Sequence, residues 1–120
     1  MNHPQENRQP WILEFGAKWQ VPPQIDALVG SGLLADESWH NDSCPRFSHQ
    51  EGNNVVILSV DHVDPAQREY EPVNRFQVWI QPCDSDGCRG LSAEYVYDGD
   101  DVDEAIRVTT ATVERLRQQP

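Results

Sequence analysis

Residues 37–47, ESWHNDSCPRF, gather side chains of several chemical types in a short stretch. A Trp, a His, an Asp and a Cys fall within six positions of one another there. Such a set can form a metal site, a thiol active site or a polar loop whose side chains bond to their own backbone. Each alternative makes a different demand on the rest of the chain.

A zinc site would need two further thiolates or imidazoles, because structural zinc takes four Cys or His ligands. Cys83 and Cys88 form a C-x4-C pair, and Cys44 with His40, His49 or His62 could complete the set. The competing interpretation is that Cys83 and Cys88 flank a hairpin loop. They would then be free thiols in a reducing compartment or a disulfide in an oxidising one. The sequence leaves these alternatives open.

A thiol enzyme would use Cys44 as nucleophile, His40 or His62 as base, and Asp42 or Asp61 to orient the imidazole. Two features disfavour it. Pro45 keeps Cys44 extended and away from a helix N-terminus, and the acidic surroundings disfavour a thiolate. The chain also carries no dinucleotide-binding, phosphate-loop or H-E-x-x-H pattern. We therefore favour a protein that is not an enzyme and needs no cofactor.

The favoured interpretation of the 39–47 loop is structural. Asn41, Asp42 and Ser43 are residue types that bond to their own backbone in bends. Trp39 is then expected to anchor the loop in the core. Because polar loops on rigid scaffolds also carry function, Trp39 and His40 stay candidate binding residues.

The charge balance narrows the class of partner. There are 20 acidic and 9 basic residues, a net charge of −11. Nucleic acids and anionic membranes are therefore not expected as partners, because both bind basic surfaces. The acidic run DGDDVDE at 98–104 offers Asp98, Asp100 and Asp101 to a basic surface. Trp79 shares its predicted strand face with polar residues and is expected to be an exposed aromatic anchor.

The sequence therefore predicts a small acidic module that binds a protein with a basic surface. An immunity or inhibitor protein for a basic nuclease, or a DNA mimic, would be a special case. The chain is also compatible with a homo-oligomer. No apolar run reaches the length of a membrane helix, and residues 1–10 lack a secretory pattern, so a cytoplasmic location is expected.

Hydrophobic periodicity predicts one α+β domain at 11–120 behind a flexible leader at 1–10. The pattern predicts an antiparallel sheet of four to five strands, with a short N-terminal helix and a C-terminal amphipathic helix on one face. Helices are expected within 21–34 and at 102–118, the latter capped by Asp101 with Glu104 at the capping-box position. Strands are expected at 11–20, around Phe47, and at 55–62, 75–81 and 91–97.

Overall fold

The computed structural model describes residues 10–39, 44–68, 74–83 and 93–118. Three helices and five strands follow the order α1 (Pro10–Phe15), α2 (Pro23–Gly30), β1 (Ala35–Asp36), β2 (Arg46–Glu51), β3 (Asn54–Val60), β4 (Phe76–Pro82), β5 (Glu94–Gly99) and α3 (Val102–Gln118). Short 3-10 turns lie at Ala17–Trp19 and Pro65–Gln67. The α+β fold is confirmed. The leader lies outside the described residues except for Pro10, which begins α1.

The five strands form one antiparallel sheet in the order β1-β2-β3-β4-β5. β2 and β3 are joined by a two-residue turn, since Glu51 pairs with Asn54. Its first residue, Gly52, has φ 60°, which a type II′ turn requires and which glycine adopts without steric cost. The β-branched run that predicted a central strand is confirmed as β3, which pairs on both sides.

One face of the sheet is sealed by the helices. Val56, Leu58 and Val60 of β3 are fully buried there. The same core contains Trp11 of α1, Ile25 of α2, and Ala105, Val113 and Leu116 of α3. We call this side the helix face. The placement of all three helices on it follows the two-layer arrangement expected of an antiparallel sheet with one apolar side.

The strand predicted at 11–20 is wrong, because this segment is α1 followed by a 3-10 turn. Pro10 suits a first helical position, and Gly16 at φ 94° breaks the segment in two. Two indoles fix its position by tertiary hydrogen bonds. Trp11 Nε1 donates to Asp26 Oδ1 at 3.0 Å, and Trp19 Nε1 donates to the Val60 carbonyl at 2.8 Å. The alternating side chains of these ten residues are typical of a strand, but hydrogen bonds to distant residues hold the segment in a helical conformation.

Helix α3 is confirmed at its predicted bounds. Asp101 Oδ1 accepts hydrogen bonds from the amides of Asp103, at 2.9 Å, and Glu104, at 3.3 Å. The other half of the capping box differs from the prediction, since Glu104 pairs with Arg107. The amide of Asp101 instead donates to the Tyr97 hydroxyl at 3.2 Å. Among the described residues, no helix combines the length and apolarity needed to cross a bilayer.

Candidate binding surface

Trp39, at the start of the 39–47 loop, does not place its indole in the core. Trp39 is 49% exposed, so the expectation of a buried anchor is wrong. Ser38, which is buried, secures the start of the loop instead. Its amide donates to Asp36 Oδ1 at 3.1 Å, and its hydroxyl accepts from the amide of Arg46 at 3.2 Å. Ser38, and not the indole of Trp39, therefore joins the start of the loop to Asp36 and Arg46.

The cysteines separate into two kinds. Cys44 is buried and is not part of a disulfide, whereas Cys83 is disulfide-bonded. The disulfide removes the Cys83 thiolate that the alternative zinc site requires. Burial of Cys44 also disfavours the exposed, ionised thiol of a nucleophile. His40, Asp42 and Cys88 lie outside the described residues, and the described ranges contain no cluster of three or more His, Cys, Asp or Glu side chains suited to a metal ion.

Trp79 is buried, contrary to the prediction of an exposed anchor. It lies on the side of the sheet opposite the helix face, and only 8% of it is exposed. The Tyr95 ring lies 5.5 Å from the indole ring, and the Arg46 guanidinium carbon lies 5.6 Å from its centroid. An aromatic ring on the adjacent strand β5 and a cation on β2, two strands away, therefore contact the indole, although most residues of this face are polar.

We call this second side of the sheet the outer face. It is defined by the strand residues that alternate with the helix face, and among the described elements no helix covers it. These are Arg46, Ser48, Gln50, Val55, Ile57, Ser59, Gln77, Trp79, Gln81, Tyr95 and Asp98. Glu37 lies beside them through its hydrogen bond with Ser48. A shallow cavity of about 150 Å³ lies among Glu37, Arg46, Ser48, Val55 and Ile57. Ser48 Oγ donates to Glu37 Oε1 at 2.5 Å at its rim.

Tyr95 is the exposed aromatic that the sequence argument missed. Alternation placed Tyr95 and Tyr97 on one face of the predicted strand. The β4–β5 pairing shifts register between Val78 and Trp79, so Tyr97 pairs with Val78 and Tyr95 pairs with Trp79. This irregularity turns Tyr97 towards the core and leaves Tyr95 60% exposed. No sequence signal marked the extra residue.

The acidic segment following Tyr95 is organised by hydrogen bonds within the molecule. Asp98 Oδ1 accepts from Asn74 Nδ2 at 3.1 Å, and Asp100 Oδ1 accepts from the Arg75 amide at 2.7 Å. Asp101 caps α3, as described above. The three predicted binding aspartates are thus brought together, and all three also fasten the end of β5 to its surroundings. They remain solvent-exposed.

Two arginines lie close to the acidic segment: Arg68 pairs with Asp100 at 3.8 Å, and Arg75 is engaged mainly by backbone carbonyls. The Arg75 guanidinium donates to the carbonyl oxygens of Gln20, at 2.6 Å, Trp19, at 3.2 Å, and Asp61, at 3.2 Å. Burial lowers the pKa of Arg75 from its ordinary value, and nearby Arg68 adds to this effect. Arg75 therefore holds three separate backbone segments together rather than presenting a cation to solvent.

Comparisons of the chain with protein-family models, with curated proteins and with solved structures find no match.

Proposed function

We propose that this domain binds a protein partner with a basic surface, through residues 95–103. We call this segment the β5 surface. The supporting observation is that an aromatic side chain, 60% exposed, lies on the same strand that leads into four exposed aspartates. These are Asp98, Asp100, Asp101 and Asp103.

The hydrogen bonds of Asp98, Asp100 and Asp101 favour binding rather than oppose it. A carboxylate that accepts one or two bonds keeps lone pairs for a cation, and it is already ordered. Association then costs less side-chain entropy, since the geometry exists before the partner arrives. Opposite charge accelerates encounter, and an aromatic anchor slows dissociation. The β5 surface supplies both kinds of group.

Tyr95 takes the place that the sequence argument gave to Trp79. The ring of Trp79 packs against the ring of Tyr95, with their centroids 5.5 Å apart. Trp39, 49% exposed at the far edge of the sheet, is a second aromatic that a large partner could reach. An immunity or inhibitor protein for a basic nuclease is one form this function would take.

The cytoplasmic location stays a prediction. A disulfide at Cys83 is more typical of an oxidising compartment than of a reducing one. Fractionation of cells that produce the protein should therefore precede any search for its partner.

Affinity capture from a native lysate tests the proposed function, with three forms of the protein as bait. These are the wild type, Tyr95→Ser, and Leu13→Ser as the matched control, because Leu13 is 56% exposed on α1. We expect one protein with a basic surface to be retained by the wild type and by Leu13→Ser, and to be lost with Tyr95→Ser. Retention should also fail at high salt, because screening weakens exposed charge pairs. Equal retention by all three baits at both salt concentrations would contradict the proposal.

A further inference from the structure

β5 is the long edge strand of the described sheet. It spans Glu94–Gly99 and pairs only with β4, while the opposite edge is the two-residue β1. An edge strand presents unpaired amides and carbonyls to any extended chain that approaches it. A strand added there would alternate its side chains between the helix face and the outer face. The two sides of β5 therefore determine which sequence fits.

On the helix side, β5 and α3 enclose a groove of about 250 Å³. It is lined by Val96, Arg107, Val108, Ala111, Thr112 and Arg115. Both arginines have carboxylate partners in this chain, Arg107 with Glu104 and Arg115 with Glu94 at 3.9 Å. Their guanidinium charges are therefore partly balanced, and their aliphatic stems can line the groove walls. The groove suits an apolar side chain.

On the outer side, the same strand offers Tyr95 and Asp98. Tyr95 provides an aromatic surface, and Asp98 is the first carboxylate of the acidic segment. A second copy of this chain is a poor occupant of the edge, because its own β5 carries Glu94 and Asp98 and would bring like charges together. A basic segment has the complementary charge.

We propose that an extended segment of the basic partner adds to β5 as a sixth strand. Its apolar side chains enter the groove beside α3, and its basic side chains alternate with them to meet Asp98 and Tyr95. This inference rests on the proposed function and specifies how the β5 surface is recognised. Main-chain hydrogen bonds hold such a strand, and the alternating contacts select its sequence. The register irregularity near Val96 interrupts regular pairing along β5, so we expect the added strand to be short.

A synthetic heptapeptide tests this mode directly. The probe is Lys-Val-Lys-Val-Lys-Val-Lys with blocked ends, compared with Lys-Lys-Val-Val-Val-Lys-Lys of equal charge and composition. A third peptide keeps the alternating order but carries N-methyl groups on alternate amides. We expect the alternating peptide to bind and to slow amide hydrogen exchange in β5. The other two should bind at least about tenfold more weakly, the factor equivalent to one lost backbone contact of ordinary strength.

A pair of variants on α3 provides the matched control. Ala111→Gln extends an exposed side chain into the groove and keeps a good helix former. Thr110→Gln introduces the same side chain at the neighbouring exposed position, which does not line the groove. We expect Ala111→Gln to weaken binding of the alternating peptide about tenfold, and Thr110→Gln to leave it unchanged. Far-UV circular dichroism of both variants should match the wild type.

The outcomes separate this inference from the proposed function. Equal affinity for all three peptides would mean that charge alone attracts them, and would overturn strand addition. No binding by any peptide would overturn it as well. Retention of the captured partner by Ala111→Gln but not by Tyr95→Ser would overturn strand addition and leave the proposed function standing. If Tyr95→Ser also retains the partner, both fall.

Discussion

The two faces of the sheet bury aromatic residues by different means. On the helix face, Phe47 and Phe76 are almost completely buried beneath helices, in a core made of aliphatic and aromatic side chains. On the outer face, Trp79 is nearly as inaccessible, yet its ring contacts the ring of Tyr95 and the guanidinium of Arg46. One face excludes water by stacking a second layer on the sheet. The other does so by lateral contact between side chains of β2, β4 and β5.

This difference shows that the polarity of a strand face does not by itself predict the exposure of an aromatic on it. Gln77 and Gln81 flank Trp79 along β4, and their presence suggested an exposed ring. The ring and the cation that contact the Trp79 indole lie on β5 and β2, and Ile57 of β3 is its direct cross-strand partner. The exposed aromatic of this face is Tyr95 instead of Trp79. Tyr95 lies at the sheet edge and has a neighbouring strand on one side only.

Replacing Phe47 by Ala should have the largest effect on the helix face. Phe47 is 0% exposed, so the change removes a full aromatic ring and leaves a cavity under rigid helices. We expect a loss of about 4 kcal/mol in the free energy of unfolding, measured by urea denaturation. A loss below about 2 kcal/mol would mean that the helix layer collapses onto the sheet, and the two faces would differ less than the structure indicates.

Replacing Trp79 by Ala tests whether the outer face is sealed too. We expect a loss of about 3 kcal/mol, because a large ring at 8% exposure is removed. The neighbouring Tyr95→Ala serves as the control and should cost no more than about 1 kcal/mol, since that ring is mostly in water already. Similar small losses for both variants, seen in the same denaturation experiment, would show that Trp79 does not contribute as a buried residue.

Replacing Asp101 by Ala should have a smaller effect, which separates the structural from the binding role of the acidic segment. Loss of the N-cap of α3 should lower stability by about 1 kcal/mol. Asp103→Ala should cost about 0.5 kcal/mol, because Asp103 has only its favourable position near the helix N-terminus. Thermal unfolding measures both. If both variants weaken capture of the partner equally, their charge matters beyond the cap.

The smallest effects concern two carboxyl groups whose pKa values move in opposite directions. Hydrogen bonds from His49, at 2.9 Å, and Arg117, at 3.1 Å, lower the pKa of Glu51. Burial raises the pKa of Asp26, and the charge of Asp36 adds to this, against the hydrogen bond from Trp11. Glu51, whose pKa is lowered, stabilises the fold while it is ionised. Asp26, whose pKa is raised, destabilises the fold while it is ionised.

The two groups therefore predict opposite pH dependence. Stability from Glu51 is present above its unfolded pKa and is lost as pH falls through its lower folded pKa. Glu51→Gln should then be less stable than the wild type at pH 7 and approach it below about pH 4. Asp26→Asn keeps an acceptor for Trp11, so it should be slightly more stable than the wild type near neutral pH and lose that advantage in acid. Urea midpoints at several pH values measure both. A constant offset at every pH would contradict the linkage.

The sequence by itself determined the parts of this protein that depend on local pattern. Helix α3 follows from its apolar stripe and its capping aspartate, and α2 from its prolines and following glycines. The β-branched run of β3 and the alternation of β4 also specified strands. In each case residues close in the chain supply the decisive interactions, so a short window of sequence contains the information.

Only the tertiary structure decided the rest. Residues 11–20 are helical because Trp11 and Trp19 bond to Asp26, Asp36 and Val60, which lie far along the chain. Trp79 is buried and Tyr95 exposed because of strand order and one shift in register. These features depend on which segments meet, and no local pattern encodes the partner of a side chain across the sheet.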